Sequence, residues 1–196
     1  MMQTGMAVLA LAGVLSGGGG LPKGFLPLET HPPAGPGETY TISDSLRRPL
    51  ELNPCFRAKP WDTGRVAARS VVHHDETETA IDYEQLVLYK NTAAAERAMR
   101  GLRAQLARCA EVGKGHSRYR YFSKPLDVGD DALRAGGRFF EGGEQAVVVR
   151  RGAAVYVAGG SAYPSRSLPL GRFRGHVERA ERMAEKICEL PEAACR

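Results

Sequence analysis

Six segments rich in Val, Ile, Leu, Tyr and Phe follow one another between Gly64 and Gly159, separated by short breaks, with one helical pattern among them. Gly64 to His74 and Ala80 to Tyr89 flank the polar run Asp75-Glu76-Thr77-Glu78 and read as a β-hairpin. In its second strand Leu86 and Leu88 face one way, and Gln85, Val87 and Tyr89 face the other. From Thr92 to Val112, Met99, Leu102, Leu106 and Cys109 recur at spacings of three and four. That spacing predicts a helix with one apolar stripe, an N-cap at Asn91-Thr92 and a stop at Gly113. His116 to Ser123, Asp130 to Phe140, Glu144 to Arg151 and Ala153 to Gly159 read as four further strands. Val147-Val148-Val149 has no alternation, as expected of a central strand covered on both faces. A second helix over Arg172 to Glu189 puts Phe173, Val177, Ala180, Ala184 and Ile187 on one side. Hairpin, helix, strand, meander, helix is the order of an α+β fold, an antiparallel β-sheet flanked by helices. The 43% hydrophobic and 25% charged content excludes general disorder and a fibrous repeat.

The first 40 residues are different in kind. Met6 to Leu15 is nearly all apolar, the length of a signal-peptide core and too short to span a bilayer. Leu15-Ser16-Gly17 is similar to the start of a bacterial lipobox, but Gly18 stands where the lipid-accepting Cys is required. Residues 21–39 carry Pro22, Pro27, Pro32, Pro33 and Pro36, which favour an extended linker, with a first extended piece expected at Gly24 to Leu28. The expected organisation is a signal-peptide-like segment over 1–20, a linker over 21–39 and one domain over 40–196.

Cys55, Cys109, Cys188 and Cys195 are four cysteines in no CxxC pattern, and the five histidines have no zinc spacing, so neither metal nor other cofactor is expected. With an export signal they read as two disulfides, for which three pairings exist; joining nearest neighbours pairs Cys55 with Cys109 and Cys188 with Cys195.

No P-loop, dinucleotide fingerprint or HExxH occurs. Gly129-Asp130-Asp131 has the letters of a polymerase metal motif in a chain too short for that apparatus, and reads as a turn into a strand. Gly159-Gly160-Ser161 lacks the spacing of a nucleophile elbow, and His73-His74-Asp75 lies at a hairpin tip open to water. Charge is more informative. Nine basic residues fall between Lys90 and Pro125 against Glu96 and Glu111, a net +7 where the whole chain carries +5. Arg97, Arg100, Arg103, Arg108, Arg118 and Arg120 are the candidate face for an anionic partner. The competing reading is a solvated helix surface whose charges point in different directions.

Cys55 followed by Trp61, the hairpin, the helix YKNTAAAERAMRGLRAQLARC, and then VGDDALR and VVVRRGAAVYV together resemble the extracellular sensor domain of PknH-type actinobacterial serine/threonine kinases, over Leu21 to Cys195. The same domain occurs in exported proteins and lipoproteins. The resemblance implies an antiparallel sheet with helices, two intradomain disulfides and a cleft for an unidentified ligand, and Cys55 and Cys109 match one family cysteine pair.

The expectation is therefore a non-enzymatic, extracytoplasmic monomer, secreted or surface-associated, that binds a small ligand or an envelope component in a cleft on the sheet. Nucleic acid is not an expected partner; peripheral membrane association is compatible with the basic face. The rivals are a cell-envelope hydrolase or transferase using His73 or His116 with a nearby acid, and an interaction protein whose basic helix binds anionic polymer.

Overall fold

The structure, a computed structural model, describes residues 20–30, 34–52, 54 and 59–195. The signal-peptide-like stretch before Gly20 and Cys55 lie outside the described residues.

Eight antiparallel strands form one sheet: β1 (Glu38–Ser43), β2 (Arg65–Asp75), β3 (Ala80–Tyr89), β4 (Glu111–Val112), β5 (Tyr119–Leu126), β6 (Asp131–Arg138), β7 (Gly143–Arg151) and β8 (Ala154–Ser161). Their order across the sheet is β1-β2-β3-β8-β7-β6-β5-β4. The first three strands build a meander outward to inward. Helix α1 (Thr92–Arg108) then carries the chain to the far edge, and β4 to β8 return strand by strand until β8 pairs with β3. The two halves thus meet in the middle, where β7 and β8 are flanked on both sides.

The faces divide as the alternation in β3 predicts. Val87 and Tyr89 join Leu102, Leu106, Val148, Val155 and Val157 in the core beneath α1. Leu86 and Leu88 join Val147, Val149, Tyr156, Phe173 and Ile187 in the core beneath α2 (Arg174–Lys186). All three of Val147, Val148 and Val149 are fully buried, so β7 is covered on both faces. The α+β, antiparallel reading holds, as three layers: helix, sheet, helix.

Several boundaries differ for identifiable reasons. Helix α1 opens with the Asn91 side chain accepting from Ala94 N at 2.9 Å, as the N-cap predicts, but stops at Arg108 rather than Val112. The sheet edge captures the residues just past the helix: Tyr121 N donates to Ala110 O at 3.0 Å, and Glu111–Val112 pairs with β5 as β4. His116 falls in a short 3-10 turn, so β5 starts at Tyr119. Nor does the proline-rich stretch behave as a free linker. Leu21, Phe25 and Leu26 are buried in the core beneath α2, and Pro27–Thr30 is a helical turn where an extended piece was expected. Three polar clamps hold it: Leu28 N donates to Glu84 Oε2 at 2.8 Å, Arg69 Nη1 to Pro22 O at 2.7 Å, and Lys186 Nζ to Phe25 O at 2.7 Å. Prolines forbid a long helix, but they leave the intervening apolar side chains free to pack.

Where two disulfides were expected, the described residues hold one bridge with both partners in view, Cys188–Cys195, with Cα atoms 5.4 Å apart. The other expected bridge rests on Cys55, outside the described residues. Cys109 closes α1 as its C-cap and is buried, as the helical stripe predicts.

Candidate functional site

Beyond the end of α1, the sheet face carries a cleft of about 240 Å³ lined by Glu51, Tyr83, Tyr119, Tyr121, Phe139, Glu144 and Ser161, among others. Strand register assembles it. Tyr121 of β5, Gly137 of β6, Glu144 of β7 and Ser161 of β8 are successive cross-strand partners and form one row across four strands. Tyr83 reaches in from β3, its hydroxyl donating to Glu144 Oε2 at 3.0 Å. Glycines make the room. A Cβ on Gly137 would lie 2.5 Å from the Tyr119 ring and 2.9 Å from the Tyr121 ring, and one on Gly159 would lie 2.6 Å from the Tyr83 hydroxyl. Tyr119 stacks on Tyr121 with ring centres 4.7 Å apart and on Phe139 at 5.6 Å, giving the cleft an aromatic wall.

Burial pushes the Glu144 carboxyl above the usual carboxylate range, against the Tyr83 and Tyr119 hydroxyls that favour its charged form, with Glu51 adding to the upward push. The Tyr83, Tyr119 and Tyr121 phenols are raised by burial as well, and by Glu144. The cleft therefore offers neutral phenolic donors, a carboxylate acceptor and flat ring faces.

Phe139 is shared with a second groove, of about 420 Å³, lined by Gly115, Arg118, Arg120, Arg138, Phe139 and Phe140. Arg120 and Arg138 are direct cross-strand partners, and Glu111 faces Arg120 from β4. A third cavity, of about 570 Å³, opens between α2 and the β5–β6 connection, with Leu126, Val128, Leu170 and Val177 supplying its apolar wall.

The six arginines singled out in the sequence do not form one surface. Arg103 is tied to Asp131 and to Ala132 O, and Arg100 to Glu96 at 3.7 Å. Arg97 and Arg108 stand exposed on α1. Arg118 and Arg120 instead share Glu111, at 2.5 and 3.9 Å. Because Tyr121 packs beneath α1, alternation along β5 turns Arg120 to the opposite side of the sheet. Arg138 and Glu144 went unmarked in the sequence; the signal available was the succession of β5 and β6, whose pairing places Arg138 against Arg120 only once the register is known.

The catalytic rivals fall elsewhere. His73 stacks on Tyr40 at 4.4 Å with Glu38 Oε1 3.6 Å away, and His116 meets Phe140 edge-on at 4.9 Å; neither lines the cleft. Ser161 Oγ accepts from Ile81 N at 2.9 Å. Asp130 is held by Arg150, Arg151 and Gly152 N, so the Gly-Asp-Asp stretch is the structural turn that its sequence suggests. Among the described residues, no group of three or more His, Cys, Asp or Glu is placed to hold a metal ion, and no helix is long and apolar enough to cross a membrane.

No protein-family model matches the chain, and no curated protein matches it. Among solved structures it is similar to the extracellular domain of PknH from Mycobacterium tuberculosis, at 12% identity and a TM-score of 0.46, over 77% of this chain and 76% of that one.

Proposed function

We propose that this chain is a non-enzymatic, extracytoplasmic domain that binds a small polyhydroxylated ring, such as an envelope sugar, in the tyrosine–glutamate cleft. The observation that carries this reading is Glu144 itself: a carboxylate kept in a desolvating pocket, bonded by Tyr83, and facing open volume with no basic partner among the described residues. Such a group costs stability unless something uses it. Ring hydroxyls suit a site that mixes a carboxylate acceptor with phenolic donors, and the Tyr119 and Phe139 faces suit the apolar side of a sugar ring. The Cys188–Cys195 bridge supports an oxidising compartment.

Saturation-transfer NMR with N-acetylglucosamine, glucose and glucuronate tests the reading. Transfer to ring protons is expected with the unaltered chain and is expected to vanish in Glu144→Gln and Tyr83→Phe. Absence of transfer with every sugar, or transfer that survives both substitutions, sinks it.

One observation favours a second reading. Glu51, paired with Arg48 at 2.6 Å, lines the same cleft as Glu144. Two carboxylates, one raised by burial, are the raw material of glycoside hydrolysis. Release of an aryl alcohol from aryl glycosides, abolished by Glu51→Gln, establishes that reading and overturns the non-enzymatic one.

A further inference from the structure

We propose that the β6–β7 hairpin tip and the arginines beside it dock the chain on an anionic phospholipid surface. This surface adjoins the tyrosine–glutamate cleft through Phe139, which lines both, but Phe140 and the three arginines do not line the cleft, so variants at those positions test it apart from sugar binding.

Aromatic exposure is the first observation. Phe140 is 72% exposed at the tip of the hairpin and Phe139 beside it is 37% exposed. His116 meets Phe140 from the β4–β5 connection, and Tyr163, 63% exposed, donates its hydroxyl to Glu141 O at 2.5 Å. Four rings from three separate segments are thus gathered at one end of the sheet, in water. A lone exposed Phe needs no explanation, but a gathered set calls for something to cover it.

Charge is the second, independent observation. Arg118, Arg120 and Arg138 line the same groove as Phe139 and Phe140. Arg120 and Arg138 lie directly opposite one another on β5 and β6, an arrangement in which like charges destabilise the sheet. Among the described residues Glu111 is the one carboxylate that pairs with them, and it serves Arg118 and Arg120, while Arg138 makes no ion pair. Arg166 adds a further positive charge near Glu111. An anion entering this groove relieves the repulsion that the free chain carries.

The conjunction of the two selects the partner. A soluble polyanion satisfies the guanidinium groups and leaves Phe140 in water. A neutral bilayer accepts Phe140 and leaves the arginines unpaired. An anionic bilayer takes both: aromatic rings settle at headgroup depth, and planar guanidinium groups bind headgroup phosphates in pairs of parallel hydrogen bonds. The docking end is the hairpin tip with Arg118 and Arg120 of the face marked in the sequence, not the α1 arginines Arg97, Arg100, Arg103 and Arg108.

Co-sedimentation of the full chain with vesicles tests this, using phosphatidylcholine alone and phosphatidylcholine mixed with phosphatidylglycerol. The apolar residues 6–15 are present in every variant, so their contribution cancels in the comparison. Binding to the mixed vesicles is expected to exceed binding to phosphatidylcholine alone and to weaken as salt is raised. Arg138→Gln is expected to lower the partition coefficient about five-fold, and Phe140→Ser on the order of ten-fold. Arg97→Gln, on α1, is expected to change nothing. Phe140 and Arg138 are not core residues, so both variants fold, and unchanged thermal transitions confirm it. Equal binding to both vesicle types overturns the proposal. So does a Phe140→Ser variant that binds as the unaltered chain does while Arg138→Gln is weakened, which identifies a soluble polyanion instead.

Discussion

The Tyr83 hydroxyl donates to Glu144 Oε2 at 3.0 Å across an intervening strand: Tyr83 is on β3, Glu144 on β7, and β8 runs between them. The bond exists because the β8 residue in register with Tyr83 is Gly159. A Cβ there would lie 2.6 Å from both the Tyr83 oxygen and the Gln145 carbonyl.

Gly159→Ala therefore overfills the cleft floor. The expected cost is about 1–3 kcal/mol in urea denaturation, together with loss of sugar binding. Gly175→Ala supplies the contrast, since nothing lies within 4 Å of a Cβ at that position in α2. It is expected to stabilise by roughly 0.4–1 kcal/mol. If the two alanines have the same effect, the cleft floor is not sterically closed.

Glu144 sits in the cleft at a cost to stability. Burial raises its folded carboxyl above the unfolded value, so near pH 7 the ionised form is the one that the fold disfavours. As pH rises from the unfolded carboxylate range through the raised folded value, the folded chain gives up its proton late and stability falls. Glu144→Gln removes the charge and keeps an oxygen for Tyr83. It is expected to raise the melting temperature at pH 7 and to erase that fall while abolishing sugar binding. A lower melting temperature at pH 7 would show that the ionised carboxylate is a structural asset.

The strands and both helix faces were legible because β3 and α1 each have one clean period: Leu86 and Leu88 against Val87 and Tyr89, and Met99-Leu102-Leu106 at helical spacing. The early stop of α1 was not legible, since Ala110–Val112 is captured by a strand that lies later in the chain. The buried place of Leu26 was hidden for a related reason: its clamps, Glu84, Arg69 and Lys186, come from β3, β2 and α2. The candidate site was the least readable part. Tyr121, Gly137, Glu144 and Ser161 acquire meaning only as one row of a sheet whose register no local pattern states. Arginine density pointed to α1, where Arg103 proves to be engaged by Asp131.

Cysteine chemistry tests the compartment and the bridge outside the described residues together. Alkylation of the non-reduced chain is expected to label no thiol, and digestion to yield two linked peptide pairs, Cys188 with Cys195 and Cys55 with Cys109. Two labelled thiols at Cys55 and Cys109 would refute the second bridge. Cys188→Ala/Cys195→Ala opens a short loop and is expected to cost about 2.5 kcal/mol on the chain-entropy model.

Lys59 sets the last expected outcome. Burial lowers its ammonium to about 8, against the opposing pull of Asp62. Its Nζ has no hydrogen-bond partner among the described residues and lies 5.8 Å from the centre of the Trp61 ring. In the unfolded chain the same lysine holds its proton up to the ordinary value of about 10.4. Between about pH 8 and that value the unfolded state binds more protons than the folded one, so stability rises with pH across the window. Above roughly pH 10 the buried phenols of Tyr83 and Tyr156, both held well above their ordinary value, reverse the trend, because the unfolded chain then ionises tyrosines that the folded chain keeps neutral. Urea midpoints at pH 7.5, 8.5 and 9.5 are expected to climb in the unaltered chain and to stay level in Lys59→Met, which keeps the packing on Trp61 without the charge. A climb of equal size in both would place the titrating group elsewhere.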